Sequence, residues 1–327
     1  MNDKRFAPQG AGARGIVTIG EILVEIMATE RGLGFREPIP LVGPYPSGAP
    51  AIFIDQVAKL GYPCGIIGCV GRDDFGWINI DRLSRDGVDV SAIAIDPEGV
   101  TGSAFVRYRK DGDRDFVFNI SNSACTKTRL TEEGRSLLHR SNHLHVMGSS
   151  FFSTRLVAEA LSVLDIVKAE GGTVSFDPNI RKEMLGVPGM RNALERFLKA
   201  CDIFLPSANE LTLLATAETE AEAVSEILEL GVSEIVVKNG AAGAVYFSKD
   251  RQTSIGGFPV VEIDPTGAGD CFGATFVTCR LQGLGVQESL RYAAASGALA
   301  VTRRGPMEGT AGFNELNAFI ALRPVTA

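Results

Sequence analysis

The sequence predicts an α/β fold: a doubly wound, mainly parallel central sheet flanked by helices, with a small β-sheet that projects from it as a lid. Two patterns predict this fold. After about residue 142, short apolar strand segments alternate with helical segments, which is typical of consecutive βαβ units and a parallel sheet. Residues 101–118 instead alternate polar and apolar side chains on either side of Asp111 and Gly112, a dipeptide typical of a tight hairpin turn.

The first third of the chain starts the main sheet. The predicted elements are, in order, a strand over 16–27, a helix over 50–61, a strand over 64–70 and a helix over 75–87. The first helix is indicated by apolar side chains at helical spacing, and Gly61 supplies its C-terminal stop. We expect the lid to come from residues near 28–46 and 100–120.

The rest of the chain alternates strands and helices. The predicted strands cover 144–149, 173–179, 203–208, 234–240 and 244–248, and the predicted helices cover 154–171, 189–200, 221–231, 268–283 and 287–303. No repeat or low-complexity linker interrupts this order. We therefore predict one domain over residues 15–327, preceded by a flexible tail over residues 1–14.

Composition excludes several classes of partner. The 327 residues are 45% hydrophobic and carry a formal charge of -7 without a long basic run, so neither nucleic acid nor an anionic membrane is expected as a partner. The N-terminal residues lack the apolar core of a secretory signal, and no apolar stretch approaches the roughly 20 residues that span a bilayer. A cytoplasmic protein is the expectation.

Three features are interpreted as structural or accidental. The six cysteines form no C-x-x-C pair and are expected to be reduced and buried. His139, His143 and His145 show no further ligand beside them and are expected to be structural. Gly10, Gly12 and Gly15 spell G-x-G-x-x-G, but they precede the first strand, so they do not predict a dinucleotide site. No Walker A sequence is present, which excludes a P-loop kinase.

Residues 261–277 carry the strongest chemical signal. An apolar strand segment ends, three small residues (Gly267, Ala268 and Gly269) follow, and Asp270 opens an apolar helix. Small residues let a ligand approach the backbone, and a helix N-terminus presents unpaired N–H groups that bind anions such as a phosphoryl group. A carboxylate at this place is equally a normal helix cap, so these residues alone leave both interpretations open.

Six segments, taken in order, resemble the motifs of one enzyme family. DPTGAGD at 264–270 resembles the C-terminal signature of the ribokinase-like, PfkB-type carbohydrate kinases. The other five segments are SGAPA at 47–51, GCVGRDDFG at 68–76, PSANEL at 206–211, VKNGAAGAV at 237–245 and AAASGALAVTRRGPMEG at 293–309. This similarity extends over nearly the whole chain. It implies a ribokinase-like fold and transfer of a phosphoryl group from ATP to a sugar.

The resemblance implies roles for the residues around the signature. Asp270 matches the family base that accepts the proton of the sugar hydroxyl, and Gly267, Ala268 and Gly269 match the anion hole. Glu210 matches the glutamate that orders water around Mg²⁺. Asp264 and Thr266 stand where the family places a monovalent cation, so K⁺ is a further expected ion.

It also implies the two substrate sites. The residues expected to bind ATP are Lys238, Gly240, Gly243, Ala294, Gly297 and Ala298. Those expected to bind the sugar are Glu25, Gly48, Ala49, Arg107, Arg109, Asp177, Asn179 and Arg181. The segment SFDPNIR, at 175–181, resembles kinases of ketohexoses and of 2-keto-3-deoxygluconate.

These implications predict a cytoplasmic ATP- and Mg²⁺-dependent kinase for the primary hydroxyl of a small sugar, most closely a ketohexose such as tagatose or fructose. The alternatives are a 2-keto-3-deoxygluconate kinase or a nucleoside or vitamer kinase. Two alternatives are not kinases. One is a non-catalytic sugar sensor on the kinase fold, and the other is a nicotinamide dehydrogenase, which the position of the G-x-G-x-x-G motif before the first strand disfavours. A homodimer that pairs through the lid is a further expectation.

Overall fold

The computed structural model describes residues 14–110, 114–180, 188–217 and 219–323. The Asp111–Gly112 turn, Arg181 and nearly all of the predicted tail lie outside these ranges. None of the helices in the described part of the chain is long and apolar enough to cross a bilayer.

A nine-stranded sheet forms the centre of the molecule, with strand order β13-β12-β11-β10-β9-β8-β1-β4-β5. Its strands are β1 (Gly15–Ile19), β4 (Cys64–Gly71), β5 (Ile93–Asp96), β8 (Ser141–Met147), β9 (Thr173–Asp177), β10 (Ile203–Phe204), β11 (Glu234–Lys238), β12 (Ala244–Ser248) and β13 (Arg251–Ile255). Seven neighbouring strands run parallel, whereas β12 and β13 add an antiparallel edge. The predicted mainly parallel sheet is confirmed.

Helices cover both faces of this sheet. They are α1 (Ala49–Lys59), α2 (Asp74–Asp86), α3 (Glu132–His139), α4 (Thr154–Ala169), α5 (Met190–Ala200), α6 (Ala208–Leu213), α7 (Glu220–Glu229), α8 (Ala268–Leu281), α9 (Val286–Ala300) and α10 (Phe313–Ala321). Two apolar cores result, one on each face. Phe53, Phe276 and Leu290 belong to the first core, and Phe176 and Phe204 belong to the second.

The small sheet contains β3 (Leu41–Ser47), β2 (Leu23–Arg31), β6 (Gly102–Tyr108) and β7 (Arg114–Asn119), in that order. The pairs β2–β3 and β6–β7 are antiparallel, whereas β2 and β6 run parallel. The small sheet is therefore mixed, and it includes the hairpin that Asp111 and Gly112 predict.

The prediction of one strand over 16–27 is wrong. The chain leaves the large sheet after β1 and enters the small sheet at β2. Glu21, which lies between them, is buried, and its carboxylate accepts hydrogen bonds from Ser149 Oγ at 2.9 Å and Ser150 Oγ at 2.5 Å. A buried carboxylate requires such donors, so the polar residue in the apolar run marks the break.

The six cysteines, His143 and His145 are buried within the fold, whereas His139 is exposed. All six cysteines are unpaired and buried. The imidazole of His143 makes hydrogen bonds to Thr173 Oγ1 and Ser175 Oγ, each at 2.8 Å, and His145 stacks on Phe53. Within the described ranges, no cluster of three His, Cys, Asp or Glu side chains has the arrangement of a metal site.

Candidate active site

The N-terminus of α8 is built from small residues. Gly267, with φ of 81°, is the N-cap, and the first helical hydrogen bond joins Cys271 N to Gly267 O at 2.8 Å. A Cβ atom at Gly267 would lie 2.5 Å from the carbonyl oxygen of Pro306, so only glycine fits. The backbone N–H groups of the first turn have no partner within the helix, and the buried Asp270 lies among them. This turn can bind an anion beside a carboxylate.

A cavity of about 440 Å³ lies between this turn and the small sheet; we call it the small-sheet cavity. Many of the predicted site residues line it: Glu25, Gly48, Ala49, Asp177, Asn179, Glu210, Thr266, Gly267, Gly269 and Asp270. The structure thus brings together residues that are up to 245 positions apart in the chain.

A second cavity, of about 490 Å³, lies between α8, α9 and the turn that joins β11 to β12; we call it the α9 cavity. All six residues that were expected to bind ATP line it: Lys238, Gly240, Gly243, Ala294, Gly297 and Ala298. Ala268 lines it as well. Lys238, Gly240, Pro265 and Gly269 line both cavities. The two cavities therefore meet at the first turn of α8.

Sequence reasoning missed several groups of the small-sheet cavity: Glu21, Ser47, Arg114, Phe116, Phe118 and Ser149. Ser47 Oγ donates to Glu25 Oε1 at 2.9 Å, so the predicted acid has a partner from the neighbouring strand. For Glu21, the usable signal was an acid directly after a buried strand, because ligands bind beyond the carboxyl ends of parallel strands.

The structure corrects the expectation for Arg107 and Arg109. Neither lines the small-sheet cavity; Arg107 Nη2 lies 2.6 Å from Asp115 Oδ2, and Arg109 Nε lies 3.8 Å from Asp115 Oδ1. Side chains alternate along a strand, and the adjacent Tyr108 opposes Arg114 in the β6–β7 pair. The face that carries Tyr108 and Arg114 points toward the site, and among the arginines of the described residues it is Arg114 that lines the cavity.

Asp177 and Lys238 form an ion pair in which the carboxylate is buried and the lysine side chain is 15% exposed. They end β9 and β11, and Lys238 Nζ donates to Asp177 Oδ2. Burial raises the pKa of Asp177 to about 6, although the Lys238 ammonium opposes that shift. Burial alone would lower the pKa of Lys238, but the carboxylates of Asp177 and Glu210 outweigh it and raise that pKa. Both groups are charged at neutral pH.

Asn179 follows this pair in a left-handed conformation, with φ of 37°. Its backbone N–H donates to Asp177 Oδ1 at 3.2 Å, which folds the Asp-Pro-Asn segment back on itself. Asparagine tolerates this backbone region better than most residues, and the turn places Asn179 in the cavity wall.

Glu210 and Asp264 both satisfy backbone donors. Glu210 accepts hydrogen bonds from Ile180 N at 2.7 Å and from the backbone N and Oγ of Ser207 at 2.8 and 2.7 Å. Glu210 therefore caps α6 as well as lining the cavity. Asp264 is fully buried and joins two loops, because it accepts from Thr266 N and Gly305 N, both at 3.0 Å.

Comparisons with known proteins agree with this architecture. The sequence pattern of the pfkB family of carbohydrate kinases matches residues 13–311, which include every residue named above as lining the two cavities. Fructokinase-2 of Zea mays is 29% identical over 301 residues, covering 89% of this chain and 89% of the plant protein.

Solved structures show the same fold. An E. coli protein provisionally named ribokinase II, in complex with ATP and Mg²⁺, is 53% identical, with a TM-score of 0.90 over 94% of this chain and 99% of that chain. A fructokinase double mutant from Vibrio cholerae O395, in a form with fructose, ADP and potassium bound, is 25% identical, with a TM-score of 0.81 over 95% and 99% of the chains. These neighbours confirm the predicted ribokinase-like fold.

Proposed function

Since the chain belongs to the pfkB family of carbohydrate kinases, we propose that it transfers the γ-phosphoryl group of ATP to a primary hydroxyl of a ketohexose such as fructose or tagatose. One observation carries this proposal: the first turn of α8, with Asp270, stands where the α9 cavity meets the small-sheet cavity. ATP lies in the α9 cavity with its γ-phosphate toward that turn, and the sugar lies in the small-sheet cavity.

The transfer step follows from this placement. The acceptor hydroxyl oxygen attacks the γ-phosphorus, the bond to the β–γ bridging oxygen breaks, and Asp270 takes the hydroxyl proton. The N–H groups of Gly267, Ala268 and Gly269 stabilise the negative charge on the transferring group. Enclosure under the small sheet limits the access of water, which would otherwise compete as the acceptor.

The residues present fit the two expected ions. An ionised carboxylate has about four lone-pair positions, and Glu210 uses three of them for protein donors. No donor among the described residues takes the fourth, which is left for a water of the kind that Mg²⁺ retains; Mg²⁺ held there would neutralise phosphate charge. Asp264 also accepts three hydrogen bonds, from the backbone N–H groups of Thr266 and Gly305 and from the hydroxyl of Tyr108. We assign Asp264, together with Thr266, to a K⁺ site.

The acceptor assignment is supported by the relatives named as fructokinases at 29% and 25% identity. A cavity of about 440 Å³ lies within the ~300–1,000 Å³ range of small-molecule sites. Glu25 and Asn179 supply hydrogen-bonding groups for sugar hydroxyls. Ribose is the second candidate acceptor, because the 53% identical E. coli protein carries the name of a ribokinase.

A coupled ADP-release assay with matched acceptors tests the proposal. Fructose, tagatose, ribose, 2-keto-3-deoxygluconate and a nucleoside are each supplied with ATP and Mg²⁺. Fructose or tagatose should give a kcat/KM at least 10-fold above the other acceptors. A higher kcat/KM with ribose or with 2-keto-3-deoxygluconate would contradict the ketohexose assignment. If none of the acceptors increases the rate of ADP release, the result would indicate a non-catalytic sugar sensor instead.

We further propose that the kinase is cytoplasmic and forms a homodimer through the small sheet. Leu41 and Val117 on that sheet are 42% and 49% exposed, which favours a contact between copies. Light scattering should give a dimer for the wild type and a monomer for Val117→Lys. A wild-type monomer at micromolar concentration would contradict the dimer.

A further inference from the structure

Lys238 and Asp177 lie at the boundary between the two cavities. The strands that they end are separated only by the two-residue strand β10, so both side chains emerge at the same edge of the sheet. Asp177 is 1% exposed, whereas Lys238 lines both cavities. Of this pair, the ammonium is therefore the member that is open to both substrate sites.

Protein donors occupy the Asp177 carboxylate on both oxygens. Oδ1 accepts from Asn179 N at 3.2 Å, and Oδ2 accepts from Lys238 Nζ. A buried carboxylate so engaged is suited to hold a neighbouring cation in place. This arrangement differs from the role of sugar ligand that the resemblance implies for Asp177.

The Lys238 ammonium lies beside the first turn of α8. A Cβ atom at Gly269 would be 3.7 Å from Nζ, so no side chain stands between the ammonium and that turn. Asp177, Glu210 and Asp270 are the acidic groups that act on Lys238, and they keep it protonated despite its burial. A fixed positive charge thus faces the place where the phosphoryl group passes from one cavity to the other.

We propose that Lys238 contacts the phosphoryl group during transfer and that Asp177 is the positioning residue that holds its ammonium there. This proposal rests on the kinase function proposed above. Lys238 keeps its protons throughout, while the acceptor proton goes to Asp270 and the electron pair of the broken bond stays with ADP. A point charge beside the transferring group stabilises the charge that develops in the transition state.

Nucleotide binding without an acceptor tests the contact. Calorimetry compares the affinity for Mg²⁺-bound ADP with the affinity for a Mg²⁺-bound, non-hydrolysable analogue of ATP, the β,γ-imido triphosphate. Lys238→Gln should weaken the analogue at least 10-fold and change ADP binding less than twofold. Lys249→Gln makes the same charge change on an exposed lysine and should alter neither. Equal affinity losses for both nucleotides, or none, would overturn the contact with the transferring group.

Asp177→Asn tests the positioning role. If Asp177 holds Lys238, the variant should lose affinity for the triphosphate analogue and lower kcat, with the KM of the sugar within twofold of wild type. A raised sugar KM with unchanged analogue binding would overturn the role, because Asp177 would then bind the acceptor.

A double variant covers the case in which one of these changes prevents folding. Asp177→Asn with Lys238→Gln removes both charges of the pair, so neither is left unpaired, and it should by itself show the loss of at least 10-fold in analogue affinity that is expected for Lys238→Gln. Where the single variants fold, their losses should not add in the double variant, since the two residues act as one unit. Additive losses would overturn the coupling. Because the calorimetric measurements of nucleotide affinity use no sugar, they stay decisive even if the ketohexose assignment fails.

Discussion

The hydroxyl of Tyr108 donates a hydrogen bond to Oδ1 of Asp264 at 3.2 Å. Tyr108 belongs to the small sheet, and Asp264 begins the turn that leads into α8. A second bond, from Arg114 Nη1 to Thr266 Oγ1 at 2.8 Å, joins the same two parts. The small sheet, which is proposed to enclose the sugar, and the turn that is proposed as the anion hole are therefore joined by two hydrogen bonds.

Tyr108→Phe removes the first of these bonds. Hydrogen bonds to charged groups contribute about 1.5–3 kcal/mol, and we expect a loss in that range in the free energy of unfolding. We also expect kcat to fall about 10-fold, because the turn before α8 loses a support. Urea denaturation and steady-state kinetics measure the two effects. Tyr292→Phe, which removes an exposed bond to Asn317, should leave kcat unchanged; equal effects in both variants would contradict the connection.

Arg114 and Arg107 form a matched pair, since they stand on opposite faces of the same hairpin. Arg114→Gln should raise the sugar KM at least 10-fold, because it removes the small-sheet cation of the cavity wall and the bond to Thr266. Arg107→Gln should change that KM less than twofold, because Arg107 pairs with Asp115 outside the cavity. If steady-state kinetics gave a larger rise in the sugar KM for Arg107→Gln than for Arg114→Gln, Arg107 would be the sugar-binding arginine, as the resemblance implies.

Gly267→Ala tests the geometry of the anion hole. The substitution forces a side chain into left-handed backbone, at about 1–2 kcal/mol, and against the Pro306 oxygen. We expect kcat to fall on the order of 100-fold, the effect of a displacement of about 1 Å in a reacting group. Gly171→Ala is the control, since Gly171 has φ of 74° and open space around it. Similar kcat values in the two variants would show that the tight fit at Gly267 is dispensable.

The raised pKa of the buried Asp55 implies that the free energy of unfolding depends on pH. Burial raises its pKa from the ordinary value of 3.8 to about 7, although Arg82 and Thr310 oppose the shift. The folded protein therefore holds a proton between these values that the unfolded chain releases. The contribution of Asp55 to the free energy of unfolding is full below about pH 4. It falls as pH rises to about 7, by up to about 1.4 kcal/mol per pH unit.

Denaturation at pH 5, 6 and 7 measures this slope. Asp55→Asn should reduce it, with a remainder below pH 6 from the raised pKa of Asp177, whereas Asp165→Asn, which removes an exposed carboxylate paired with Arg196, should keep the wild-type slope. An unchanged slope in Asp55→Asn would contradict the assignment.

Local signals predicted correctly where α8 begins. Gly267 to Asp270 could be placed at a helix start because small residues, an acid and an apolar helix follow one another directly in the chain. Which face of the β6–β7 hairpin points toward the small-sheet cavity could not be predicted in the same way. Alternation puts Arg107 and Arg109 on one face, but only the packing of the small sheet decides which face points inward.

Long-range contacts account for the other differences. Glu21 meets Ser149, which lies 128 positions further along the chain, and no local pattern records that contact. The apolar run over 16–27 also continues across a change of sheet, so periodicity alone reads it as one strand. Asp177 similarly shows its partner, Lys238, only once β9 and β11 are placed around β10.

Asp270, in the first turn of α8, is proposed to take the proton of the acceptor hydroxyl. The most direct test compares acceptor-dependent ADP formation by Asp270→Asn and wild type, with nucleotide affinity measured alongside. Removing a general base costs about 10²–10⁴-fold, and we expect kcat to fall on the order of 10³-fold or more while nucleotide affinity stays within a few-fold. Turnover within 10-fold of wild type in the folded variant would contradict the account.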